Sequence, residues 1–557
     1  MSVVTLSRRQ MLLGALAIPL SGKAPGFQLT DVTAGAHIDF RHNNGAYGAK
    51  YLPETMGPGC AFLDYDQDGW LDILLINGQD WPRHRRSRST MKLLRNNRNG
   101  TFTDVTRAAG LDIEMYGLGV AVGDFDNDGY PDLYITAVGQ NRLFRNTGRG
   151  HFVDVTVQAG LGSRDAFSTS AMWVDYDRDG YLDLFVCNYV RWSPERDVHC
   201  SLDGKNKAYC TPEAYRGTTC WLFRNKGNGT FEDVTARSGI FDFSSKSLGV
   251  AMLDFDSDGW PDLFVTNDTQ PNKLYRNNGD GTFAESAVRY GVAFSDDGRA
   301  RAGMGVDIGD FRRTGRPGIA LTNFDNEMMG LYESAPQGFV DRAMTLGVGA
   351  ASRERLGFGC LFGDFDLDGH LDLVAMNGHI DETARNVGRS APHAQIPNLF
   401  INDGQGRFSD VATESGFAFA TPKVGRGLAM GDFDRDGDLD LLVTTNAGSA
   451  LLYRNDISNG NRSIRFRLEG RKSNRDAVGA VVQIFDTTGM QMQMVKSGSS
   501  YLSSSDRALT FGVGRRPEID RAVVFWPSGR TDEVKKLATD RSYRWIEGEP
   551  PRMQDWR

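Results

Sequence analysis

The stretch DYDQDGWLD, residues 64–72, places aspartates at its first, third, fifth and ninth positions and a glycine at its sixth. Four carboxylates this close repel one another, so without a counter-charge the segment would be strained or its acids partly protonated. The spacing D-x-D-x-D-G is typical of a calcium loop, in which acidic side chains supply oxygen atoms and glycine permits a sharp turn. The segment therefore predicts a bound divalent cation.

The acidic nonamer recurs along the chain. Five further copies, DFDNDGYPD, DYDRDGYLD, DFDSDGWPD, DFDLDGHLD and DFDRDGDLD, begin at residues 124, 175, 254, 364 and 432. A degenerate copy, DFRRTGRPG, begins at Asp310 and retains only that one of its four acids. We number the seven segments loops 1 to 7 in chain order. Their steps of 51 to 79 residues indicate a repeat architecture.

In each of the six intact loops we predict that the side chains at the first, third, fifth and ninth positions bind calcium, together with the seventh-position carbonyl. An EF-hand would need a glutamate at the twelfth position and flanking helices, and magnesium would retain several waters. Loop 5 has Arg312 at its third position, so no cation is predicted there. The predicted ligand residues for about six structural Ca²⁺ ions are Asp64, Asp66, Asp68, Trp70 and Asp72; Asp124, Asp126, Asp128, Tyr130 and Asp132; Asp175, Asp177, Asp179, Tyr181 and Asp183; Asp254, Asp256, Asp258, Trp260 and Asp262; Asp364, Asp366, Asp368, His370 and Asp372; and Asp432, Asp434, Asp436, Asp438 and Asp440.

The text after each loop predicts several short strands per repeat. An apolar run such as LFVTN follows the loop, and then come segments such as LYRNNGDGTF, in which Asn-Gly and Asp-Gly mark hairpin turns. A ring of such sheets is a β-propeller. The recurring text GTFTDVT has one copy, FQLTDVT, before loop 1 and none after loop 7. We therefore predict an all-β chain whose seven-bladed propeller is closed by an N-terminal strand.

The charge distribution predicts a second domain. The formal charge is -8, but residues 457–557 contain 18 Lys and Arg against 12 Asp and Glu, a net +6, which leaves -14 for the rest. We assign the propeller to residues 27–456, a small β-sandwich-like domain to 457–545 and a tail to 546–557. Alternation in AVVQIF and the apolar run AVVFW support strands in the second domain. Its positive charge fits an acidic partner, and the acidic propeller of the same chain is one candidate.

Residues 1–26 predict export. The paired Arg8 and Arg9 precede an apolar run over residues 11–20 that is too short to span a bilayer. The segment resembles a twin-arginine signal with Met and Leu in place of the usual Phe and Lys, which implies a folded bacterial protein that is periplasmic or secreted. A buried N-terminal helix is the alternative. No later segment approaches 18 uninterrupted apolar residues, so no membrane span is predicted after the signal.

The same residues carry a family resemblance. The repeats resemble FG-GAP/VCBS repeats, the calcium-loop blades also found in integrin α-subunit propellers. Residues 473–529, which contain NRDAVGA and WPSG, resemble the ASPIC/UnbV domain that follows such repeats in the cartilage acidic protein family and its bacterial relatives. The resemblance implies a calcium-binding propeller and specifies no reaction.

Cysteines and asparagines give further predictions. Cys200 and Cys210 lie in an insertion, close enough for a disulfide in an oxidising compartment, with Cys220 as a competing partner and a zinc site with His199 as the alternative. The resemblance, through its C...YCxP text, implies the first pairing. Asparagines that follow the ninth position by five places are interpreted as turn residues, or alternatively as a polar-ligand face with NGHI (377–380) as the place to look. They are Asn77, Asn188, Asn267, Asn323 and Asn377. The apolar position four residues before a loop is a cysteine in two blades, so Cys60 and Cys360 are expected to be buried.

No recognisable catalytic motif appears. The chain has no Gly-Lys-Ser/Thr phosphate loop and no G-x-S-x-G elbow, and aspartates committed to calcium cannot serve as a glycosidase pair. The basic loop at 83–88, RHRRSR, is interpreted as solvated, so nucleic acid is not an expected partner. We expect a non-enzymatic exported module that recognises a protein or glycan. The alternative, motivated by relatives near enediyne biosynthesis genes, is an enzyme or accessory protein of secondary metabolism or polysaccharide processing, with its site at the propeller face or the domain junction.

Overall fold

The computed structural model describes residues 26–382 and 391–554. The predicted export signal lies outside these residues, apart from Gly26. Within them the chain is almost entirely strand, turn and loop, so the all-β prediction is confirmed. The short helices are the α-helices Val348–Ser352 and Phe417–Ala420 and the 3-10 helices Leu52–Thr55, Pro82–His84, Pro194–Arg196 and Pro212–Ala214.

Residues 26–457 form seven four-stranded units, each built around one loop. The first strand of a unit leads into the loop, and the second strand begins at or beside the ninth loop position. In chain order the strands are β1 (Phe27–Asp31); β2 (Cys60–Leu63), β3 (Asp72–Leu75), β4 (Lys92–Asn96) and β5 (Phe102–Asp104); β6 (Gly117–Gly123), β7 (Asp132–Gln140), β8 (Arg142–Asn146) and β9 (Phe152–Asp154); β10 (Asp165–Val174), β11 (Asp183–Asn188), β12 (Trp221–Asn225) and β13 (Phe231–Asp233); β14 (Ser247–Leu253), β15 (Asp262–Asn267), β16 (Lys273–Asn277) and β17 (Phe283–Glu285); β18 (Val306–Gly309), β19 (Gly318–Leu321), β20 (Gly330–Ala335) and β21 (Gly338–Asp341); β22 (Gly357–Gly363), β23 (Asp372–Asn377), β24 (Asn398–Asn402) and β25 (Phe408–Asp410); and β26 (Gly425–Gly431), β27 (Asp440–Thr445) and β28 (Leu451–Ile457).

The units close into a ring. Strand β1 pairs antiparallel with β28, with Phe27 opposite Ile457, so the N-terminal strand completes the last sheet, in the order β1-β28-β27-β26. The first strands of successive units contact each other in the order β2, β6, β10, β14, β18, β22 and β26, and β26 contacts β2. Two units also share an edge, because β10 continues into a pairing with β7. A ring of sheets with short outer strands is the propeller architecture.

The C-terminal module is two four-stranded sheets packed face to face. Its strands are β29 (Ser463–Glu469), β30 (Val481–Asp486), β31 (Gly489–Met494), β32 (Leu509–Gly512), β33 (Glu518–Phe525), β34 (Thr531–Ala538), β35 (Arg541–Ile546) and β36 (Arg552–Gln554). The sheet orders are β32-β29-β35-β36 and β31-β30-β33-β34. One buried core, which includes Phe466 and Trp545, fills the space between them. Since β36 pairs with β35, this sheet continues past residue 545 into the segment that the sequence assigned to a tail.

A segment of the module threads the axis of the ring. Residues 496–507, KSGSSYLSSSDR, which we call the plug, leave β31 and return at β32. The plug pairs with inner strands of the ring through backbone bridges, Ser500 with Val306 and Ser504 with Ala61. At the far end Tyr501 is fully buried and its hydroxyl donates to the carbonyl of Met56, 3.3 Å away. The propeller and the module are therefore one interlocked structure.

The cysteine predictions have clear outcomes. Cys200 and Cys210 form a disulfide, which removes two of the sulfur atoms that a zinc site would have used. Cys60, Cys360 and Cys220 are buried free thiols, and the Cys220 thiol donates to Ser247 Oγ at 3.1 Å. Burial raises the pKa of the Cys60 thiol to about 12, which is typical of an inert apolar environment. Within residues 26–382 and 391–554, no helix is long and apolar enough to cross a membrane.

Candidate metal centres and the two propeller faces

The structure brings together the first, third and ninth carboxylates of the loops. In loops 1, 2, 3, 4 and 6, one oxygen from each of these three aspartates lies within 4.8 Å of the others. In loop 7 burial, and then the charges of neighbouring carboxylates, raise the pKa of Asp434 and of Asp440. Oxygen atoms in this number and at this separation are the ligand set that a divalent cation such as calcium uses.

Backbone hydrogen bonds shape each loop around its first aspartate. In loop 1, Asp64 Oδ1 accepts from the amide of Asp68 at 3.0 Å, and Oδ2 accepts from the amide of Gly69 at 3.0 Å. Gly69 has a φ of 86°, in the left-handed region that glycine adopts without strain. The same pair of contacts recurs in loops 2, 4 and 6. The aspartate and the glycine together define the turn.

The fourth position is a feature that the sequence did not reveal. Its residue has a φ between 54° and 62° in all seven loops, although the residue type varies. Left-handed backbone is unfavourable for residues other than glycine and persists only where surrounding contacts fix it. The residues are Gln67, Asn127, Arg178, Ser257, Arg313, Leu367 and Arg435. The repeat therefore imposes one backbone path on unrelated side chains.

The fifth and seventh positions contact each other in this structure. The amide of Trp70 donates to Asp68 Oδ1 at 2.9 Å, and equivalent contacts occur in all other intact loops. The second oxygen of Asp68 binds Arg98 Nη2 at 2.8 Å, and Asp258 binds Arg276 in the same way. These two fifth-position carboxylates therefore lie beside the three clustered carboxylates, and each pairs with an arginine, Arg276 within β16 and Arg98 just after β4.

The ninth aspartate is buried at the start of its strand. Asp72 accepts from the amide of Asn96 at 2.8 Å and from that of Tyr65 at 3.1 Å. Burial raises the pKa of Asp72 to about 8, and the charges of neighbouring carboxylates act in the same direction. Both hydrogen bonds oppose this shift. Burial likewise raises the pKa of Asp262 to about 8. A cation within the loop would favour the ionised form of these groups.

Unpartnered oxygen atoms mark the centre of several loops. Asp66 Oδ1 and Asp126 Oδ1 are buried and have no hydrogen-bond partner among the described residues, and the same holds for Asp177 Oδ1 and Asp434 Oδ1. All four belong to third-position aspartates, in loops 1, 2, 3 and 7. Because a buried carboxylate oxygen without a partner is costly, these atoms are suited to be cation ligands. The donor set, its geometry and its unsatisfied atoms all fit calcium.

Loop 5 keeps the turn with a different chemistry. Asp310 Oδ1 accepts from the amide of Thr314 at 2.9 Å, and Oδ2 accepts from that of Gly315 at 2.7 Å. Arg312, at the third position, directs its guanidinium to Glu333 Oε1 at 3.1 Å. The turn therefore forms with the first aspartate and the glycine alone, without the third, fifth and ninth aspartates of the intact loops.

Loops 2 and 5 provide a matched test of this division. We expect Asp126→Ala to reduce the bound calcium by one ion per chain, because it removes a third-position ligand while the turn contacts of Asp124 remain. Arg312→Ala alters the same position in loop 5 and should leave the count unchanged. Metal quantification by mass spectrometry after dialysis measures both. An unchanged count for Asp126→Ala would refute its assignment as a ligand.

A repeated asparagine links each loop to the adjacent unit. Asn96 donates through Nδ2 to the carbonyl of Phe433, in loop 7, at 2.9 Å, and Asn146 donates to Tyr65, in loop 1, at 2.8 Å. Asn225, Asn277, Asn402 and Asn455 make the equivalent contact. All six are fully or nearly fully buried. The sequence signal was present in the recurring YRN and FRN text, but only the ring shows that the partner lies in another repeat.

The C-terminal module covers the loop face. Arg465 Nη1 lies 2.7 Å from Asp432 Oδ2, Arg467 Nη1 lies 3.8 Å from Asp64 Oδ2, and Arg475 Nε lies 4.0 Å from Asp124 Oδ2. The amide of Asp124 also donates to Asp476 of the module at 2.7 Å. The expectation that the positive module meets the acidic propeller is confirmed. Access to the propeller from outside is therefore mainly at its other face.

The predicted asparagines lie toward that open face, since antiparallel strands carry the end of the second strand away from the loop. They are buried, and their amides donate to backbone carbonyls of the following connection, Asn188 to Thr219 at 2.9 Å and Asn377 to Ile396 at 2.8 Å, for example. Asn77, Asn267 and Asn323 make similar contacts. Their interpretation as turn residues is wrong, because Asn188, Asn267 and Asn377 are the last residues of strands and none of the five has left-handed backbone; they hold the following connection through their side chains. The basic loop at 83–88 is tied by ion pairs to Asp80, Asp112 and Glu114.

Aromatic and charged side chains gather on the open face. Tyr51 contacts Trp81 and Trp192 edge-on at centroid distances of 5.3 and 5.4 Å, and the ammonium of Lys50 lies 4.5 Å above the ring of Tyr209. Trp192 and Tyr209 come from the insertion that carries the disulfide. The insertion, the first unit and the segment before β2 therefore build one surface together.

Beneath this surface lies a buried polar cluster. Arg426 is fully buried, and its Nε donates to the carbonyl of Thr55 at 2.8 Å, while its Nη2 has no partner among the described residues. Burial and then the charge of Arg426 lower the pKa of His42 to about 3, so this imidazole is neutral at ordinary pH. Burial raises the pKa of Glu54, which accepts from Tyr209 and Trp81. Arg426 lies between His42 and the 54–55 segment, an arrangement that no sequence pattern indicated.

Comparisons with known proteins agree with the architecture. The model of the FG-GAP-like repeat matches residues 64–135, 131–186, 203–265, 254–321 and 364–443, and the model named ASPIC and UnbV matches 470–552. Cartilage acidic protein 1 of Homo sapiens is 24% identical over 500 residues, 86% of this chain and 70% of that protein, and the Mus musculus protein is 24% identical over 501 residues, 86% and 71%. A solved Agrocybe aegerita lectin structure aligns with 69% of this chain and 88% of its own, at 15% identity and a TM-score of 0.41. That last likeness is too weak to carry an argument.

Proposed function

Because the chain belongs to the FG-GAP-like repeat family, we propose that it is an exported, non-enzymatic recognition module for a protein or glycan, with calcium ions as structural staples in six blades. The observation that carries the calcium part is the set of buried third-position oxygens without partners, each beside two further carboxylates. Extracellular modules bind calcium with Kd of roughly 10⁻⁴ to 10⁻³ M, which suits a calcium-rich exterior.

Export is supported by the N-terminal sequence and by the disulfide. The first 26 residues resemble a twin-arginine signal, and the Cys200–Cys210 disulfide suits an oxidising compartment. Loops that need millimolar calcium would remain largely empty in a cytosol that keeps calcium low. A folded precursor would therefore gain its full stability only after export.

Recognition is assigned to the open face. The loop face is covered by the C-terminal module, whereas the open face has the partly exposed Tyr51 and Tyr209 and the basic loop at 83–88. Aromatic rings beside charged groups are typical of surfaces that bind saccharides or protein side chains. Nucleic acid is not proposed, since the arginines of the basic loop are paired with acids of the same face.

A glycan array and a panel of exported proteins from the same source test the recognition role. We expect a narrow set of bound partners for the calcium-loaded protein. That binding should be lost in a Tyr47→Ala, Lys50→Ala double variant of the open face, where the Tyr47 ring stacks on His84 of the basic loop with centroids 3.7 Å apart. Arg552→Gln, an exposed change on the module, is the control and should bind like the native protein. Absence of any bound partner in both panels would contradict the recognition role.

The buried cluster of His42, Glu54 and Arg426 favours a second candidate function, an enzyme or accessory protein of secondary metabolism or polysaccharide processing. A neutral imidazole, a carboxyl group of raised pKa and a guanidinium are groups that acid–base chemistry uses. All three side chains are buried, so a substrate would have to open the face. Mass analysis of bound array saccharides after incubation separates the two functions, because an enzyme would change the mass of its ligand and a recognition module would not.

A further inference from the structure

A cavity of about 570 Å³ lies between loops 1 and 2 of the propeller and the C-terminal module. Its volume is within the range of small-molecule sites, roughly 300 to 1,000 Å³. Loop residues form one wall, among them Asp64 and Asp124, and module residues such as Arg467 and Arg475 form the other. The recognition role described above does not use this space.

Most of the polar side chains that line this cavity are charged. Five arginines face six carboxylates there, a net charge of minus one. Three of the carboxylates, Asp64, Asp68 and Asp124, belong to the calcium loops, and the other three belong to the module. The arginines are Arg435, Arg467, Arg475, Arg507 and Arg544. Without metal, acids and bases are close to balance.

Calcium changes that balance. One ion in loop 1 and one in loop 2 bring four positive charges, which the eight carboxylates of these loops share, so the loop wall of the cavity becomes less negative. Arg467 and Arg475 make long ion pairs with the loops, 3.8 Å to Asp64 and 4.0 Å to Asp124, and Arg475 Nη2 also lies 3.2 Å from Glu469 Oε1 of the module. When these carboxylates coordinate calcium, they neutralise the arginines less effectively. Both guanidinium groups are partly exposed, at 39% and 41% of the side chain, so a ligand can reach them.

We propose that this cavity, once loops 1 and 2 hold calcium, binds an acidic saccharide through its sulfate or carboxylate oxyanions. Arginine suits this ligand because its planar group donates two parallel hydrogen bonds to an oxyanion. The proposal rests on the proposed function, since it takes calcium in the loops as given. It adds a calcium-dependent ligand class and a second site, at the domain junction rather than the open face.

Isothermal titration calorimetry of the full chain tests the proposal, with inorganic sulfate, a heparin-derived tetrasaccharide and a polygalacturonate tetrasaccharide as probes. Each probe is titrated into protein in 2 mM calcium and into protein in chelator. The test variant is Arg467→Gln, Arg475→Gln, and Arg515→Gln, Arg552→Gln, two exposed arginines of the module outside the cavity lining, is the charge-matched control. A separate calcium titration of every variant records whether the loops are filled.

We expect at least tenfold tighter binding of one tetrasaccharide in calcium than in chelator, at least tenfold weaker binding by the double variant, and native binding by the control. Binding of inorganic sulfate alone would overturn the saccharide assignment in favour of a simple anion site. Equal binding in chelator, or no binding to protein whose loops are shown to be filled, would overturn the proposal and leave the calcium staples intact. Absence of calcium binding would instead refute the proposed function.

Discussion

Removal of calcium from the purified protein is expected to lower its thermal midpoint by roughly 4 to 10 °C, given an unfolding entropy of about 2.1 cal/mol/K per residue. With Kd values of roughly 10⁻⁴ to 10⁻³ M and 2 mM calcium, each site stabilises the native state by about 0.6 to 1.8 kcal/mol. Six independent sites then contribute about 4 to 11 kcal/mol. Differential scanning fluorimetry in calcium and in chelator measures the shift.

Magnesium provides the control for this result. It shares the charge of calcium but keeps several waters and requires octahedral geometry, so excess magnesium in chelator should restore little of the midpoint. Equal recovery with magnesium would mean that the loops respond to charge alone. A midpoint that ignores both ions would show that the aspartate clusters are held by other means, and the assignment of the loops as staples would be wrong.

The second large effect is expected at the tip of the plug, where Tyr501→Ala should cost about 3 to 5 kcal/mol of unfolding free energy, the usual range for truncation of a large buried aromatic residue. The ring of Tyr501 contacts that of Phe358 edge-on, with centroids 5.1 Å apart, and is fully buried on the propeller axis. Truncation leaves a cavity that the surrounding inner strands cannot close. Urea denaturation followed by tryptophan fluorescence gives the change.

Two further variants distinguish the contribution of the Tyr501 ring from that of its hydroxyl, and test the contact between the plug and the propeller. Tyr501→Phe keeps the ring and should lose only about 1 kcal/mol with its one hydrogen bond. Gly59→Ala, a change in the propeller, would place a methyl group 1.8 Å from the carbonyl oxygen of Leu502 and should therefore displace the plug. Gly35→Ala is its control, because the added methyl group would meet only an ordinary contact at 3.6 Å. If Tyr501→Ala and Gly59→Ala both unfold like the native protein, the plug does not stabilise the ring.

The local features of this protein were readable from its sequence because they are set by short-range chemistry. The first aspartate and the glycine of each loop define a turn through contacts four and five residues apart, and the apolar runs after Asp72 and Asp262 form strands as predicted. Repetition of that chemistry indicated the number of repeats. The FQLTDVT copy before loop 1 correctly predicted that β1 completes the last sheet.

Other features depended on residues that are far apart in the chain. The asparagines in the third strands of six units bind the loop of an adjacent unit, and Asn96 reaches Phe433 across 337 positions. The left-handed fourth position of the loops is occupied by residue types as different as Leu367 and Arg435, so no residue preference announced it. Such contacts become visible only when the ring is closed.

The repeat, the all-β architecture, the candidate cation ligands and the division into an acidic ring and a basic module were all predictable from the amino-acid sequence. The position of the module, the insertion of its residues 496–507 into the axis and the proximity of His42, Glu54 and Arg426 beneath the open face became known only from the folded chain. The physical reason is the range of the interactions: turns and strands follow from neighbours a few residues apart, whereas docking, burial and charge balance depend on which distant surfaces exclude water together.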